Sequence, residues 1–408
     1  MTTSTPLPEP IDFLVRRDNL QACRFAPAAP LDDVALADGQ ALMKVDHFAL
    51  SSNNVTYAVA GDRMSYWQLF PAPEGWGRVP VWGYGEVLRS RHEGVRPGER
   101  YYGLYPPSTA LVIQPGRVGA AGFVDETPHR QALSALYNRY VRTATDPTYD
   151  PAREAEQALL RPLFTTSFLL DDYLAAHDFF GARTVVLASA SSKTACGLAW
   201  LLAARSPSPT VFGLTSATNA PFVARVGGYA RAFPYDRVAD LPTDAPVVYV
   251  DLSGDAALRA EVHRHFGAAL THSCAVGATH WQQLRPADAE PLAGPAPTPF
   301  FAPSWAEKRA AELGPPTFGA RAGASWGSLL ERVVSSPESW LRIVRGRGPE
   351  ALERAYLDLV LGRSKPSEGH RARPAAGPAR RALPLSPPAR PLSPPARPLS
   401  PPARSLRP

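Results

Sequence analysis

The residues most able to do chemistry lie together at Ala188-Ser189-Ala190-Ser191-Ser192-Lys193-Thr194. They follow the apolar run Thr184–Leu187, which reads as a buried strand, and precede Ala195–Ala204, which reads as a buried helix. A turn from strand to helix presents unpaired N–H groups at the positive end of the helix dipole, an arrangement that attracts phosphate. Ser191, Ser192 and Thr194 add hydroxyl donors and Lys193 adds a full charge, in a chain with four Lys against 39 Arg. No glycine stands in the turn, so it departs from G-x-G-x-x-G and lets a pyrophosphate approach the backbone less easily. Ser192-Lys193-Thr194 also ends like a P-loop, but Ser192 stands where that motif requires a glycine.

A second apolar run, Thr210–Leu214, leads into Thr215, Ser216 and Asn219, where a site for NAD would carry an acid for the ribose 2′-hydroxyl. Neutral hydroxyls beside Lys193 tolerate a 2′-phosphate, which favours NADP; the competing reading is a pair of helix-capping residues. Nearer the N-terminus, Asn53 and Tyr57 fall in the polar stretch Ser51–Tyr57, read as a loop framed by strands, with Tyr66, Trp67, Trp76 and Trp82 close in sequence. Tyr57 could give a proton or hydrogen bond to a carbonyl and the aromatic rings could wall a planar substrate, unless these are turn formers and barrel core. Ser191, Asp251 and His280 follow the chain order of an α/β serine-hydrolase triad, but no G-x-S-x-G elbow surrounds the serine. The nine His include no HExxH and no His/Cys cluster, and His263 and His265 read as exposed on a helix, so no metal is expected.

The elements that would position these residues define an α/β protein. Short apolar runs at Ala41–Val45, Val79–Trp82, Glu86–Leu88 and Ala110–Ile113, punctuated by Gly, Pro, Asn and Asp, predict a β-barrel domain over 1–125. Helical spacing at Gln131–Arg142, Arg153–Leu160 and Ser167–Phe180 predicts a helical connector over 126–180. Strands at Thr184–Leu187, Thr210–Leu214 and Val247–Val250 alternate with helices at Ala195–Ala204, Pro221–Val226 and Ala256–Phe266, which predicts a doubly wound parallel sheet over 181–294. Residues 295–364 read as a C-terminal segment with surface helices that packs back on the core. From 365 the chain becomes an Arg/Pro-rich tail in which Pro-Leu-Ser-Pro-Pro-Ala-Arg occurs three times, too poor in apolar surface to order; it reads as solvated, or as a PxxP ligand.

Charge follows the same division. The net +6 sits in the tail, where ten Lys/Arg face the single acid Glu368, so residues 1–362 carry about −3 and no nucleic-acid partner is expected. The longest apolar run, Ala195–Ala204, is about half of the ~20 residues a membrane span needs, and no signal peptide is read at the N-terminus. Three widely spaced cysteines without a CxxC pair suit a reducing cytoplasm.

The order barrel, connector, doubly wound domain and returning segment resembles the medium-chain dehydrogenase/reductase superfamily, in particular its zinc-free quinone and enoyl reductase branches. Asn53 with Thr56 resembles the Asn-x-x-Asp of quinone reductases, and Tyr57 stands near the proton-donor Tyr of enoyl reductases. Trp82-Gly83-Tyr84-Gly85-Glu86-Val87 stands where zinc members have Gly-His-Glu, so the zinc-binding His is missing; Tyr249–Gly254 is similar to the third Rossmann strand and Tyr356–Gly362 to the last helix. As a set, Asn53–Tyr57, Pro80–Gly83, Ala190–Ala195 and Gly277–Trp281 resemble domain-of-unknown-function family 2855. The resemblance implies a GroES-like barrel beside a Rossmann-like domain, an NADP-dependent oxidoreductase for a small carbonyl, enone or quinone-like compound, and a homodimer. Ser191, Ser192, Lys193 and Thr194 would hold phosphates, Thr215, Ser216 and Asn219 the adenosine ribose, and Asn53 and Tyr57 would face the substrate. The superfamily's final strand would be lost where the tail begins. The alternatives are a non-catalytic dinucleotide- or ligand-binding protein on the same fold, and the serine hydrolase.

Overall fold

The longer N-terminal strands are buried along most of their length, as in a barrel whose inner face is core and whose outer face is partly covered, and near-continuous apolar runs build the central strands, as expected for a sheet covered on two faces. The structure is a computed structural model that describes residues 11–277, 292–335 and 339–374. His280, the end of the Gly277–Trp281 motif and the heptapeptide tail lie outside the described residues.

The strands, in chain order, are β1 Ile11–Arg16, β2 Cys23–Pro27, β3 Ala41–Leu50, β4 Trp76–Gly77, β5 Val81–Ser90, β6 Arg100–Tyr105, β7 Ala110–Ile113, β8 Pro115–Gly119, β9 Gly122–Asp125, β10 Arg139–Arg142, β11 Thr184–Ala188, β12 Thr210–Thr215, β13 Arg231–Pro234, β14 Val247–Asp251, β15 Leu270–Ala275, β16 Thr298–Pro299, β17 Arg342–Arg347 and β18 Glu368–Arg373. The α-helices are α1 Ser52–Val59, α2 Ala135–Asn138, α3 Glu154–Ala176, α4 Lys193–Ala203, α5 Ala220–Val226, α6 Ala256–Phe266, α7 Ala302–Leu313, α8 Pro315–Leu330 and α9 Gly348–Val360.

The barrel sheet runs β17-β18-β3-β5-β6-β10-β9-β8, with β7 also on β3. Phe13, Phe48, Tyr101, Tyr105, Phe123, Tyr140 and Tyr356 fill its core. The second sheet is wholly parallel in the order β13-β12-β11-β14-β15-β16, the Rossmann order 3-2-1-4-5-6. Val185, Leu187, Val248 and Val250 face α3 and α4, while Val186, Tyr249 and Leu270 face α6, so both faces are covered. In such a sheet the order reverses between β11 and β14, and the crevice past their C-terminal ends is where ligands bind.

Four expectations need correction. Residues 139–142 form β10, hydrogen-bonded to β6 and β9, because Tyr140 fits the barrel core and overrides the helical spacing. The two helices expected at 153–160 and 167–180 are one, α3, running through Pro162. Ser51–Tyr57 is the start of α1 and no loop: the Ser51 side chain accepts from the Asn53 N–H, and the Asn54 side chain accepts from the Ser51 N–H at 2.7 Å, a capping box. The tail does not begin at 365, and the final strand is present: β18 pairs antiparallel with β3 and parallel with β17. Its two buried positions lie on opposite faces: Gly369 packs so closely against Leu159 of α3 that a Cβ there would clash, and Ala372 faces the barrel core. One small buried residue on each face, in a strand that also carries His370, Arg371 and Arg373, gives no apolar alternation to detect.

His263 is also not exposed. It is fully buried on α6, its ring bonded to Ala293 O at 2.7 Å and Ser273 Oγ at 2.8 Å. Among the described residues, no helix is long and apolar enough to cross a membrane.

Candidate active site

One wall of the crevice is built by α1. Asn54 donates to Pro80 O at 2.8 Å and thereby fixes the helix to the entry of β5. With Asn54 committed to structure, Asn53, Thr56 and Tyr57, one helical turn apart, face the crevice. Trp82 Nε1 donates to the Tyr57 hydroxyl at 3.1 Å, and the Asn53 side chain hydrogen-bonds the same phenol. A phenol oxygen that accepts from Trp82 keeps its own proton for a further partner. Burial pushes the Tyr57 hydroxyl up to about 12, while the bonds from Trp82 and Asn53 pull the other way by favouring the phenolate. Tyr57 is therefore a donor at neutral pH, and the same two groups hold the charge left when its proton departs. The rings of Tyr66 and Tyr137 stand edge-on to Tyr57 at 5.0 and 6.2 Å, with their hydroxyls 3.1 Å apart.

The opposite wall is the turn from β11 to α4. Ser189 takes the left-handed conformation (φ 54°) that a fingerprint glycine would supply, and Ala190, buried behind it, ties the turn to the sheet. The Ala190 N–H bonds Leu214 O at 2.9 Å, and Ala190 O accepts from Tyr229 at 2.9 Å. Ser192 is the N-cap of α4, accepting from the Ala195 N–H at 3.2 Å, which leaves the N–H groups of Lys193 and Thr194 at the open end of the helix. Ser191 Oγ accepts from Thr215 Oγ1 and from Asn219 Nδ2, both at 3.2 Å, so its proton too is left for a ligand.

Lys193 donates one of its three protons to Pro366 O at 3.1 Å, and burial depresses its ammonium to about 8. The remaining two protons face a cleft of about 310 Å³. That cleft brings together Asn53, Tyr57, Ser191, Ser192, Lys193, Thr194 and Asn219 from elements far apart in sequence. Two expected members are placed differently. Thr215 is fully buried beneath Ser191, and Ser216 closes the following turn by accepting from the Asn219 N–H at 3.3 Å; neither lines the cleft.

Asp251, offered for a hydrolase triad, is committed elsewhere. One oxygen accepts from Ser253 N, Ser253 Oγ and Gly254 N, and the other from Arg259. The expected aromatic wall divides: Tyr66 lines the cleft and Trp82 backs it, whereas Trp67 fills core against Gly61 and Gly77, and Trp76 lies under the Arg24 guanidinium. Among the described residues, one set of possible metal ligands gathers, Asp46, His47 and Glu154, but Arg100 already bonds both carboxylates. A cation occupies that position as a side chain.

A barrel carrying α1, joined by a long helix to a six-stranded Rossmann sheet, is the two-domain fold of the medium-chain dehydrogenases/reductases. Residues 48–365 match the family described as protein of unknown function DUF2855, and the chain belongs to that family. Among solved structures, CurA of Vibrio vulnificus in complex with NADPH is similar at 13% identity, over 90% of this chain and 100% of that one, with a TM-score of 0.58. A candidate NADPH:quinone reductase of Mesorhizobium loti is similar at 11% identity, over 91% and 100%, with a TM-score of 0.56. The CurK enoyl reductase is similar at 10% identity, over 90% and 99%, with a TM-score of 0.50. No curated protein matches the sequence.

Proposed function

We propose that this protein is a zinc-independent, NADP-dependent oxidoreductase that reduces a small enone or quinone-like carbonyl compound in the cleft. The observation that carries the reading is the meeting of a phenol with a free proton, Tyr57, and an anion-attracting helix start, α4, on one cleft. A complex with NADPH in one of the similar structures and the name NADPH:quinone reductase of another are consistent with it.

The residues present fit a dinucleotide. The Lys193 and Thr194 N–H groups, the Ser191 proton and two protons of Lys193 supply donors for phosphate oxygens. The end of β12 is neutral, so no carboxylate opposes a 2′-phosphate there. The cofactor, when bound, supplies the hydride. Tyr57 gives the proton to the substrate oxygen or α-carbon, and Trp82 and Asn53 hold the phenolate until a proton returns from solvent. The barrel wall and the Rossmann wall keep donor and acceptor in register.

Titration with NADPH and NADH, followed by tryptophan quenching and thermal shift, tests the reading. NADPH should bind more tightly than NADH, and the complex should turn over a panel of enones and quinones. Binding of neither nucleotide overturns it; binding without turnover on that panel favours a non-catalytic nucleotide-binding protein.

A further inference from the structure

The barrel sheet ends in two strands rich in arginine, and their register concentrates the charge. In the parallel pair β17 and β18, Arg345 is the direct partner of Arg371, and Arg347 of Arg373. Direct partners share a face, so four arginines start from one patch, their backbone positions about 4.8 Å apart across the strands and about 6.6 Å apart along them. Like charges directly opposite one another are destabilising in a sheet. Charge on an edge strand guards against pairing with another sheet, and that accounts for β17. It does not account for β18, which lies inside the sheet between β17 and β3 and is half-buried at both arginines.

The acids of this face do not balance the patch. Asp46 and Glu154 are the carboxylates that attract Arg371, and both are already bonded to Arg100. Asp46 turns its other oxygen to Arg373 at 3.7 Å. Glu86, farther along the face, stands across from Lys44. His47 is fully buried, and burial lowers the pKa of its ring, so it stays neutral at pH 7.

Arg345 and Arg371 are left with no hydrogen bond or ion pair among the described residues. Burial and then the charge of Arg373 draw the Arg371 guanidinium down to about 10; Arg345 adds to the effect and Asp46 opposes it. The group is still charged at neutral pH and keeps its planar fork of donors. Arg345 is exposed, which opens the patch to solvent. Arg100, Arg345, Arg371 and Arg373 thus share two carboxylates, and the excess matches a dianion.

We infer that Arg345, Arg371 and Arg373 form a second anion site, outside the cleft, that binds the phosphate group of a soluble compound or of a lipid headgroup. A phosphate brings two charges and enough oxygens to accept from guanidiniums on two strands at once, where a carboxylate brings one charge. None of the three arginines lines the cleft, so the inference stands apart from the reductase reading.

The test is calorimetric titration of the full chain with pyrophosphate, against chloride at matched ionic strength. Arg345→Gln should weaken binding at least tenfold. It should also leave the melting temperature equal or higher, because it removes the charge opposed to Arg371. Arg264→Gln, which takes the same charge from an exposed position on α6, should change neither. Pyrophosphate can also enter the cleft at α4, so the binding at issue is the part that Lys193→Ala leaves intact. Vesicles of phosphatidylcholine, alone and mixed with phosphatidic acid, separate the sources. Pelleting with phosphatidic acid that Arg345→Gln abolishes assigns the phosphate to a lipid, and pelleting unmoved by the substitution assigns it to a soluble compound. Pyrophosphate binding unchanged by Arg345→Gln, equal losses in Arg345→Gln and Arg264→Gln, or a lower melting temperature for Arg345→Gln overturns the inference.

Discussion

The two walls of the cleft solve the same problem by different means. The barrel wall holds its reactive group through directed bonds: a capping box starts α1, Asn54 pins it to Pro80, and Trp82 and Asn53 fix the Tyr57 oxygen. The Rossmann wall has no fingerprint glycine and depends on charge, hydroxyl groups and a strained serine, with Lys193 leaning on a carbonyl of the returning segment. Positioning is therefore concentrated on one wall and attraction on the other. Substitutions in the first should damage chemistry, and substitutions in the second should damage binding.

The largest effect is expected from Tyr57→Phe. A general acid contributes about 10²–10⁴-fold, so turnover should fall in that range while NADPH affinity is unchanged. The buried Trp82 N–H loses its acceptor, which should lower stability by about 1–3 kcal/mol. If kcat is unchanged and only the Michaelis constant rises, Tyr57 is a binding group and the contrast between the walls fails. Lys193→Ala is the complement. A charge-assisted hydrogen bond is worth about 1.5–3 kcal/mol, so NADPH should bind about ten- to a hundredfold more weakly, with turnover at saturation little altered.

The pH dependence sharpens the second half of the comparison. Lys193 titrates at about 8 in the folded chain against 10.5 for an unperturbed lysine, because burial disfavours its charge. Between those values the unfolded chain binds more protons than the folded one, so stability should rise with pH across that window. Lys193→Met should flatten the rise in chemical denaturation. NADPH needs the protonated form, so its dissociation constant should grow by up to about tenfold per pH unit above 8. A flat profile between pH 8 and 10 would place the phosphates away from Lys193.

Much of this architecture could be read from residue types, and the failures have physical causes. The Rossmann strands were legible because they are buried on both faces and appear as unbroken apolar runs such as Thr184–Leu187. The turn from β11 to α4 was legible because it falls between two apolar runs. The role of α1 was hidden in Ser51-x-x-Asn54, a capping box with Asn in the place of the usual Glu or Gln, and that signal was there to be found. Strand β18 was hidden because its buried positions are glycine and alanine among arginines. Thr215 was misassigned because sequence places it at the end of β12 but does not tell that its hydroxyl turns under Ser191.

The smallest expected effect tests the strain on the Rossmann wall. Ser189 holds a φ of 54°, which glycine adopts freely and other residues only at a cost of about 1–3 kcal/mol. Its side chain also bonds Tyr235, so any replacement loses that contact. Comparing Ser189→Gly with Ser189→Ala removes the side-chain bond from both and leaves the backbone preference as the difference. Glycine gives part of this back through its greater freedom when unfolded, about 0.5–1 kcal/mol, so Ser189→Gly should exceed Ser189→Ala in denaturant stability by about 1 kcal/mol. It should also bind NADPH at least as tightly as the unaltered chain, since a glycine lets the pyrophosphate approach more closely. An alanine variant as stable as the glycine one would mean that the turn relaxes out of the left-handed region, and that this wall is held by Ala190 and Ser192 alone.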